Sequence, residues 1–443
     1  MDNQPKIYDT IIIGGGIAGQ ESALNLAKSG HKVLMVEKDL SLGGKMIHLS
    51  KVFPTLDCSA CITTPKVSET ARHPNIELHT NSEIKSINKQ AEQKFKAVLQ
   101  KNPRYVIESA CTGCQDCEEK CPVVVEDQYQ YDLVGRKAVY VPFSIANPRV
   151  AAIDIENCIL CGACEKACPA DAIDFTQKVE YEDVEARSVV IASGYNLFDA
   201  EFIERYGYGK HKNVVTSMQM ERQLVPTRPY NTVLRPKDGK MPDNIAYVLC
   251  AGSRDETVGN KICSQVCCMY SIKQAQLLMG ALPMADITIY YLHIRAFGKG
   301  FEEFYQQAKA MGVEFVKAKI GKIDENEDGD LLTYSFKPHK KGYLRVFVFT
   351  SEDAYQVFPN EYERSVLLNP EKQESYRFPQ HVDIILESEE DSETHRMVFV
   401  FLKENIPYTG EVSYKDIFDW IFSIAMDQRK IKTFSFAVTN GGS

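Results

Sequence analysis

The sequence predicts an α/β protein with a cysteine-rich insert in its first unit and an α+β module at its C-terminal end. The apolar, β-branched run Tyr8–Ile13 leads through a glycine-rich turn into a segment with helical spacing, and a second strand is predicted at Lys32–Glu37. Further strand and helix patterns alternate between residues 245 and 318. The 14 cysteines all lie between Cys58 and Cys268, in groups of two, four, four and four. These observations predict two α/β units and a metal or redox centre.

The spacing of apolar residues predicts the elements that follow the insert. Arg187–Gly194 is predicted to be a buried strand at which the first fold resumes. In the second unit we predict strands at 245–250, 286–292 and 313–318, and helices at 269–282 and 301–311. Beyond Ile323 we predict strands at 343–350, 381–387 and 396–402, then an amphipathic helix with Ile417, Trp420, Ile421 and Ile424 on one face.

Composition excludes several classes of function. Charged residues make up 25% of the chain and apolar residues 44%, and no apolar run approaches the roughly 18 residues of a membrane span. The net charge of -9 gives no basic surface for nucleic acid, and it arises after residue 323, where 22 acidic and 13 basic residues lie. No secretory signal precedes the first strand, so we expect a cytoplasmic protein whose clustered cysteines serve metal or redox chemistry.

Two cysteine runs have the spacing Cys-x-x-Cys-x-x-Cys-x-x-x-Cys-Pro, which is typical of proteins that bind two 4Fe-4S clusters. Three closely spaced thiolates of one run bind one cluster, and the fourth cysteine binds the neighbouring cluster. Structural zinc, the alternative, favours two separated Cys-x-x-Cys pairs. We therefore assign one cluster to Cys111, Cys114, Cys117 and Cys168, and the other to Cys158, Cys161, Cys164 and Cys121.

The glycine-rich turn predicts a dinucleotide site. The glycines follow a strand and open a helix, and Glu37 ends the second strand, where a carboxylate can accept hydrogen bonds from ribose hydroxyls. Backbone N–H groups at the helix start would bind a pyrophosphate. These residues do not separate FAD from NAD, but the following Gly43-Gly44-Lys45 resembles the extension of two-dinucleotide flavoproteins and favours FAD. The predicted cofactor-binding residues are Gly14, Gly16, Gly19, Glu37, Lys38, Gly43, Gly44 and Lys45.

A further cysteine group has no common zinc or ferredoxin spacing. Its members are Cys250, Cys263, Cys267 and Cys268. Cys250 ends the first strand of the second α/β unit, where a nicotinamide-binding domain has its glycine loop. The sequence there is Cys250-Ala-Gly-Ser-Arg-Asp255, so the glycine-rich dinucleotide turn is missing. Four thiolates at this edge of the sheet could bind a third 4Fe-4S cluster, and four buried core cysteines are the alternative.

Three further features leave their roles open. Cys58-Ser-Ala-Cys61 is compatible with a redox dithiol, with half of a metal site or with packing beside the flavin. Lys273 and the segment Arg295–Lys299 supply cations that could stabilise the negative charge of a reduced flavin. Lys273 is our candidate catalytic residue, and a solvated or phosphate-facing role is the alternative for these cations.

Taken together, several segments resemble the A-subunit family of heterodisulfide reductase over about residues 7–323. Besides the two ferredoxin-type runs, they are Cys58-Ser-Ala-Cys-Ile-Thr-Thr-Pro-Lys66, Gly135–Phe143, Cys263–Ala275 and Arg295–Tyr305. The resemblance implies a thioredoxin-reductase-like two-dinucleotide flavoprotein fold, with a two-cluster ferredoxin domain inserted in its FAD half. It also implies bound FAD, and a third cluster close to the flavin at the Cys250 group. Members of this family act in multi-subunit complexes, and in some of these the flavin bifurcates electron pairs.

The C-terminal region departs from this family. After Ile323 the family returns to its FAD domain with a strand that ends in glycine and a Gly-Asp or Gly-Cys segment that contacts the flavin. We find no such segment in residues 324–443, which makes the completeness of the FAD site and bifurcation open questions. The predicted domains are a first FAD-binding, Rossmann-like segment at 1–103, the ferredoxin insert at 104–178, the FAD-domain continuation and linker at 179–235, a degenerate nicotinamide-domain-like unit at 236–323 and an acidic module at 324–443.

These observations support one leading hypothesis of function and two alternatives. The leading one is an electron-transfer subunit that passes electrons between FAD and 4Fe-4S clusters, with heterodisulfide-reductase-like subunits or ferredoxin-type carriers as partners. A stand-alone NAD(P)H oxidoreductase resembling the small subunit of glutamate synthase would need the missing dinucleotide turn. A cluster-bearing scaffold without flavin is the non-enzymatic alternative.

Overall fold

The computed structural model describes residues 5–323, 334–336, 342–349, 354–359, 367–368, 376–378, 392–410, 413–426 and 428–439. The chain divides into two compact units, residues 1–323 and residues 324–443. The finer boundaries predicted at residues 103, 178 and 235 remain predictions. Over the described residues of the chain, no helix combines the length and the apolar character that a membrane span requires.

The first unit contains the following strands and helices. In chain order, the strands are β1 (Lys6–Ile13), β2 (Val33–Val36), β3 (Ile76–His79), β4 (Ser82–Ala91), β5 (Lys94–Lys101), β6 (Val124–Glu126), β7 (Gly135–Lys137), β8 (Val139–Tyr140), β9 (Ala152–Ile153), β10 (Glu180–Ile191), β11 (Asn244–Val248), β12 (Asp286–Tyr291) and β13 (Glu314–Lys317). The helices are α1 (Ile17–Lys28), α2 (Ser59–Arg72), α3 (Asp116–Lys120), α4 (Ala163–Ala167), α5 (Ser217–Leu224), α6 (Cys267–Ala281) and α7 (Phe301–Ala310).

The largest sheet has the strand order β3-β2-β1-β10-β5-β4. Neighbours from β3 to β10 run parallel, whereas β5 is antiparallel to both β10 and β4. Helix α1 connects β1 to β2 and buries Leu24 and Ala27 against the same core as Val33 and Met35. Because β1 and β2 are parallel, their carboxyl ends meet at one edge of the sheet, and the glycine-rich turn lies at that edge.

Strand β10 resumes the first sheet after the insert, as predicted. It pairs in parallel with β1 from Val184 to Ile191 and antiparallel with β5 as far as Ala186. The prediction of a buried strand is wrong for its last residues, because Arg187 is exposed and Ile191 is 73% exposed. Among the described strands, none pairs with the second edge of β10 beyond Ala186, so this end of the strand has neighbours on one side only.

The insert between β5 and β10 repeats one short motif twice. Helices α3 and α4 each span five residues and each begin after a residue in the left-handed region, Gln115 with φ 73° and Gly162 with φ 69°. The third cysteine of each run, Cys117 or Cys164, is 7% exposed and lies in the core that the insert forms by itself. The insert also contains two small antiparallel pairs, β6 with β7 and β8 with β9, of which the second adds Val139 and Ile153 to this core.

The second α/β region of the first unit agrees closely with the predicted elements. Strands β11, β12 and β13 form a parallel sheet, and the registers Ile245↔Ile287 and Ile289↔Phe315 place apolar residues side by side. Helices α6 and α7 pack on this sheet through Ile272, Ala275 and Phe304. The predicted helix at 269–282 begins two residues earlier, at Cys267, because the two adjacent cysteines form its first turn.

The unit of residues 324–443 is an α+β module. Its described strands are β14 (Tyr334–Phe336), β15 (Gly342–Phe349), β16 (Ala354–Phe358), β17 (Leu367–Leu368), β18 (Tyr376–Phe378), β19 (Ser392–Leu402) and β20 (Arg429–Thr439), and its helix is α8 (Tyr414–Ser423). Strands β16, β15, β19 and β20 lie side by side in an antiparallel sheet. Ile417, Ile421 and Ile424 are buried on this sheet, as the apolar spacing predicts. The strand predicted at 381–387 lies outside the described residues.

Candidate redox centre

The turn between β1 and α1 can accept a dinucleotide only because it consists of glycine. Gly14 has a φ of +106°, and a Cβ there would lie 2.3 Å from the carbonyl oxygen of Ala192. A Cβ on Gly19 would lie 1.9 Å from the carbonyl oxygen of Gly14, so helix α1 could not pack this close to the turn. Gly16 precedes the first residue of α1. The first N–H groups of a helix have no partner within the helix, so those of α1 are available to bind a pyrophosphate.

The second glycine pair lies directly against this turn. The N–H of Gly43 donates to the carbonyl oxygen of Gly15 over 3.1 Å, and Gly43 has a φ of +133°. A Cβ on Gly44 would be 2.9 Å from the Cα of Gly16. The structure therefore brings together the predicted glycines at one edge of the sheet. Lys45 lies half-buried with its ammonium group 5.5 Å from the ring centre of Tyr195, and Lys38 is exposed.

Glu37 is the buried carboxylate of this site. It is 4% exposed, and its two oxygens accept the N–H groups of Gly15 over 2.5 Å and of Asp39 over 2.9 Å. Burial raises the pKa of Glu37, while the hydrogen bond from Asp39 opposes this shift. A carboxylate has about four lone-pair positions, so two remain for the hydroxyls of a ribose. The glycine cradle and this acceptor fit the adenosine and pyrophosphate groups of FAD.

Each predicted set of ferredoxin cysteines lines one cavity of the insert. Cys111, Cys114, Cys117 and Cys168 line the first cavity together with apolar residues such as Val106 and Ile173. The second cavity is lined by Cys121, Cys158, Cys161 and Cys164. The pairing of three cysteines from one run with the fourth of the other is thus present in the geometry. Thiolates in an apolar cavity fit the 4Fe-4S cluster that the sequence predicts. Within the described ranges, no group of three or more His, Cys, Asp or Glu converges on a single-ion site.

The first cavity adjoins the glycine turn through a short hydrogen-bonded contact. Leu42, which precedes the second glycine pair, donates its N–H to the carbonyl oxygen of Asn147 over 3.0 Å. The hydroxyl of Ser41 accepts the N–H of Asn147 over 2.8 Å. Two residues further on, the carbonyl oxygen of Arg149 is 2.6 Å from the position of a Cβ on Gly113, between Cys111 and Cys114. These contacts connect the loop of the Cys111 cavity, through residues 147–149, to the segment that carries the second glycine pair.

The second cavity opens towards solvent. Ile159 and Leu160 lie between two of its cysteines and are 64% and 66% exposed. Leu160 has a φ of +54°, and Cys161 is exposed. Two large apolar side chains at the surface beside a cluster site form a candidate contact surface for another protein.

The cysteine group of the second α/β region also converges. Cys267 and Cys268 begin α6 and are buried, and Cys250 packs with them in one apolar core. Cys250 has a φ of +63° and follows β11 by two residues. Burial raises the pKa of Cys250, and the nearby sulfurs of Cys267 and Cys263 raise it further. The hydrogen bond from Cys268 lowers the pKa of Cys267 to about 6, despite its burial. Cys250, Cys267 and Cys268 thus lie in one core, and Cys263 is close enough to act on Cys250, which is compatible with a shared metal cluster.

The loop before α6 has no resemblance to a dinucleotide turn in its geometry. After Cys250 the chain forms a short helical turn at Glu256–Val258 and enters α6 only at Cys267. Asp255 accepts hydrogen bonds from Thr257, which lower the pKa of the Asp255 carboxyl to about 2, and it also pairs with Arg205. Gly252 lies so close to the ring of Phe198 that a Cβ would be 2.2 Å away. The loop after β11 is thus built from side-chain contacts of Asp255 and Phe198 and not from a tight turn of glycines.

Lys273, the candidate catalytic residue, is 1% exposed and belongs to a buried ion pair with Glu221. Its ammonium group also donates to the carbonyl oxygen of Lys51 over 3.0 Å. Glu221 accepts the N–H and hydroxyl of Ser50 over 2.8 and 2.7 Å, and Gln274 over 2.6 Å. This network joins α5 and α6 to residues 50 and 51, which follow the second glycine pair. Burial lowers the pKa of Lys273, and the charge of Glu221 opposes that shift.

Sequence reasoning did not identify the residues of α5 that reach this site. Glu221 and its neighbour Arg222 are both buried, and the guanidinium of Arg222 lies 4.3 Å from the ring centre of Tyr129. Arg222 also donates to the carbonyl oxygen of His48 over 3.3 Å. The signal that could have located α5 is the capping box of Thr216 and Gln219. The residues that bond to Glu221 and Arg222 lie 52 to 174 residues away in sequence, and no local pattern indicates them.

The remaining candidate residues have these positions. Cys58 and Cys61 lie at the start of α2, outside the three groups of four cysteines. The backbone N–H of Arg295 bonds to the sulfur of Cys268, so this segment lies beside the Cys250 group. Lys299 is exposed. Of the predicted cations, the described structure thus places Lys273 in an ion pair and Arg295 next to a cysteine.

Two family models match the chain. One, a pyridine nucleotide-disulphide oxidoreductase model, matches residues 8–132, and the other, a 4Fe-4S dicluster domain, matches residues 110–173. Together with the geometry they define the class of protein: an oxidoreductase that is both a flavoprotein and an iron-sulfur protein. The predicted fold class, an α/β dinucleotide-binding fold with an inserted dicluster ferredoxin domain, is confirmed.

The curated relatives identify the family. The chain is 45% identical over 323 residues to the A subunit of the ferredoxin:CoB-CoM heterodisulfide reductase of Methanosarcina mazei, covering 72% of this chain and 41% of that protein. It is 46% identical over 338 residues to the A subunit of the H(2)/formate:CoB-CoM heterodisulfide,ferredoxin reductase of Methanococcus maripaludis, covering 75% of this chain and 51% of that protein. The matched region of the chain belongs to the A-subunit family of heterodisulfide reductase. The chain spans about half the length of these relatives.

The solved structures that match the chain have much lower identity. The thioredoxin reductase of Lactococcus lactis is 12% identical, with a TM-score of 0.34, over 70% of this chain and 64% of that chain. The thioredoxin reductase of T. acidophilum is 10% identical with the same TM-score and the same coverage.

Proposed function

We propose that the chain is an electron-transfer subunit of a heterodisulfide-reductase-like complex. When bound, FAD exchanges two electrons and each 4Fe-4S cluster exchanges one, so that pairs are converted to single electrons. We further propose three clusters, one at each of the Cys111, Cys158 and Cys250 groups. The role of the chain itself is to hold these groups close together, to exclude water between them and to present one of them to a partner.

The observation that carries this proposal is the contact between the glycine turn and the first cysteine cavity. Leu42 and Ser41 hold Asn147, and Arg149 packs on Gly113 in the loop between two cysteines of that cavity. The contact is made largely by backbone atoms, so it fixes the spacing without depending on long, flexible side chains. A dinucleotide site and a cluster site held side by side in this way support direct transfer between them.

The exposed end of the insert supports a role for partner proteins. Ile159 and Leu160 stand at the surface beside Cys158, which belongs to the second cavity and not to the cavity next to the glycine turn. We propose that they form the docking surface for a partner that carries its own one-electron centre, such as a ferredoxin-type protein. The alternative of a stand-alone NAD(P)H enzyme is disfavoured by the loop at Cys250, which has no tight turn of glycines and in which Asp255 pairs with Arg205 and Gly252 packs on Phe198.

The test is a kinetic one on anaerobically purified holo-protein. Reduced methyl viologen, a one-electron donor, should bleach the absorbance of both the clusters and the flavin. In the variant Cys114→Ser, which removes a proposed ligand of the cluster whose loop contacts the segment of the second glycine pair, flavin bleaching should become much slower while bound FAD is unchanged. Cys61→Ser is the matched control, because Cys61 lies outside the three cysteine groups.

Two results would contradict the proposal. Equal rates of flavin bleaching in Cys114→Ser and in the parent protein would show that this cluster is not on the route to the flavin. Rapid bleaching of the flavin by NADPH alone would instead support the stand-alone oxidoreductase.

A further inference from the structure

Cys58 and Cys61 form a cysteine pair that the proposed electron route does not use. Their sulfurs are 2.6 Å apart, so a bond between them requires little movement of either side chain. Cys61 is exposed and Cys58 is half-buried, which leaves the pair accessible to a reagent from solvent. Neither residue lines the two cavities of the insert. The pair therefore has the geometry of a dithiol, separate from the cluster ligands.

The backbone around the pair favours a thiolate on Cys58. Cys58 is the residue that precedes α2, a helix of 14 residues, and its sulfur accepts the N–H of Cys61 over 3.3 Å. The positive end of a helix dipole and free N–H groups stabilise a negative sulfur at this position. The pKa of Cys58 is lowered most by the hydrogen bond from the thiol of Cys61, and further by the N–H groups of Cys61 and Ala60 and by the ammonium of Lys51. The hydrogen bond between the two sulfurs raises the pKa of Cys61. The two sulfurs are therefore unequal, one suited to attack and the other to resolve.

The position of the pair in the fold links it to the redox centre. Ser59, between the two cysteines, is fully buried and donates its hydroxyl to the carbonyl oxygen of Met46, two residues after Gly44. Lys51 pairs with Cys58 in a β-bridge, and the carbonyl oxygen of Lys51 accepts the ammonium of Lys273 in α6. The pair is therefore fixed both to the turn beside the dinucleotide site and, through α6, to the Cys250 group.

We propose that Cys58 and Cys61 are a thiol–disulfide exchange site that reduces an external disulfide. The Cys58 thiolate attacks one sulfur of the external disulfide, forms a mixed disulfide and releases the other half as a thiolate, which solvent protonates. Cys61 then loses its proton and its sulfur attacks the Cys58 sulfur, which releases the second half as a thiol. In total the two protein thiols lose two electrons and two protons, and the external disulfide becomes two thiols. A dithiol reductant returns the pair to its starting state.

The pair can be observed without interference from the other cysteines. Trypsin cleaves after Lys51 and Lys66, and the peptide 52–66 contains Cys58 and Cys61 and no other cysteine. Holo-protein would be equilibrated anaerobically with oxidised and reduced glutathione in varied ratios, trapped by acid, alkylated and digested. We expect this peptide to change from doubly alkylated to unalkylated and lighter by two hydrogen atoms as the ratio rises. Dithiothreitol should reverse the change.

Two variants separate the roles of the cysteines. Cys61→Ser removes the resolving sulfur, so a glutathione adduct should accumulate on Cys58. Cys58→Ser should react with oxidised glutathione at least about tenfold more slowly at neutral pH, because the thiolate and not the thiol is the nucleophile. The iron content and the visible absorbance of both variants should equal those of the parent protein, since neither cysteine is assigned to a cluster.

Either of two outcomes overturns the inference. A peptide that stays doubly alkylated at every glutathione ratio would show that the pair does not cycle. A loss of iron in Cys58→Ser or Cys61→Ser would show that the pair binds metal. Both readouts are independent of flavin and of electron partners, so they can fail while the proposed electron-transfer function stands, and the reverse also holds.

Discussion

The first unit contains two α/β regions that begin in the same way and differ in the loop that follows the first strand. In the first region, β1 passes into α1 through three glycines, and the carboxylate of Glu37 lies beneath them. In the second region, β11 is separated from α6 by a long loop that carries Cys250 and Cys263 and ends at Cys267. A tight turn of glycines leaves free N–H groups for a phosphate, whereas the long loop brings cysteines together, which we propose bind a metal cluster. In the proposed function, the same edge of a similar sheet thus serves two different cofactors.

The comparison teaches that the fold determines where a cofactor can bind and the loop determines which one. Both loops lie at the carboxyl edge of a parallel sheet, which is the usual place for a site in this class of fold. The two regions are also fastened together, since Lys273 of α6 is paired with Glu221 and bonded to the segment after Gly44. Changes to either loop should therefore affect one cofactor, and changes to the ion pair of Lys273 and Glu221 should affect both.

The largest expected effect is the loss of one cluster. The variant Cys250→Ser removes one of four thiolates at the second loop, so the iron content should fall from about twelve to about eight per chain, at four irons per cluster. Bound FAD should be unchanged, because Glu37 and the glycines are untouched. Chemical iron analysis and flavin absorbance of the same anaerobic sample measure both quantities. An iron content that stays at the parent level would remove Cys250 from the ligand set.

The next effect concerns the ion pair of Lys273 and Glu221, which joins the two α/β regions. Lys273→Met leaves the carboxylate of Glu221 buried without its cation, which typically costs about 3–5 kcal/mol of stability. We expect the thermal midpoint to fall by many degrees in circular dichroism. The double variant Lys273→Met/Glu221→Leu should recover much of the loss, because no unpaired charge remains buried. If the double variant stays as unstable as the single one, the ion pair is not the reason for the effect.

A smaller effect is expected at the first loop. In Gly19→Ala the new Cβ would lie 1.9 Å from the carbonyl oxygen of Gly14, so the turn must shift. Such overpacking costs about 1–3 kcal/mol, and the same amount taken from the binding free energy corresponds to roughly five- to 150-fold weaker FAD binding. Equilibrium dialysis of FAD measures this directly. Gly280→Ala is the matched control, since nothing lies within 4 Å of that position in α6, and its FAD and iron contents should not change.

The smallest effect depends on pH. Burial lowers the pKa of His48 to about 4, so the folded protein keeps this ring neutral where the unfolded chain, with a pKa of about 6.5, is protonated. The stability from the neutral ring is present above about pH 6.5 and is lost as the pH falls towards 4. Between about pH 7.5 and about pH 5.5 the loss is about 1 kcal/mol. Thermal midpoints of the parent and of His48→Gln at these two pH values should show a smaller decrease in the variant. Equal decreases would contradict the assignment.

The sequence predicted most of the elements and the groupings of cysteines because both depend on local patterns. The ferredoxin spacing, the strand-turn-helix at Gly14 and the elements of the second α/β region are all short-range signals. The network at Glu221 is not local, since α5 joins residues from three distant segments. The exposure of Ile191 also escaped prediction, because an apolar strand pattern does not indicate whether both of its edges are paired.

The most direct test of the account is the composition of the anaerobically purified protein. We expect about one FAD and about twelve irons per chain, which is four irons for each of the three proposed clusters. The content of acid-labile sulfide should equal that of iron. A colourless protein that contains zinc and no flavin would contradict it.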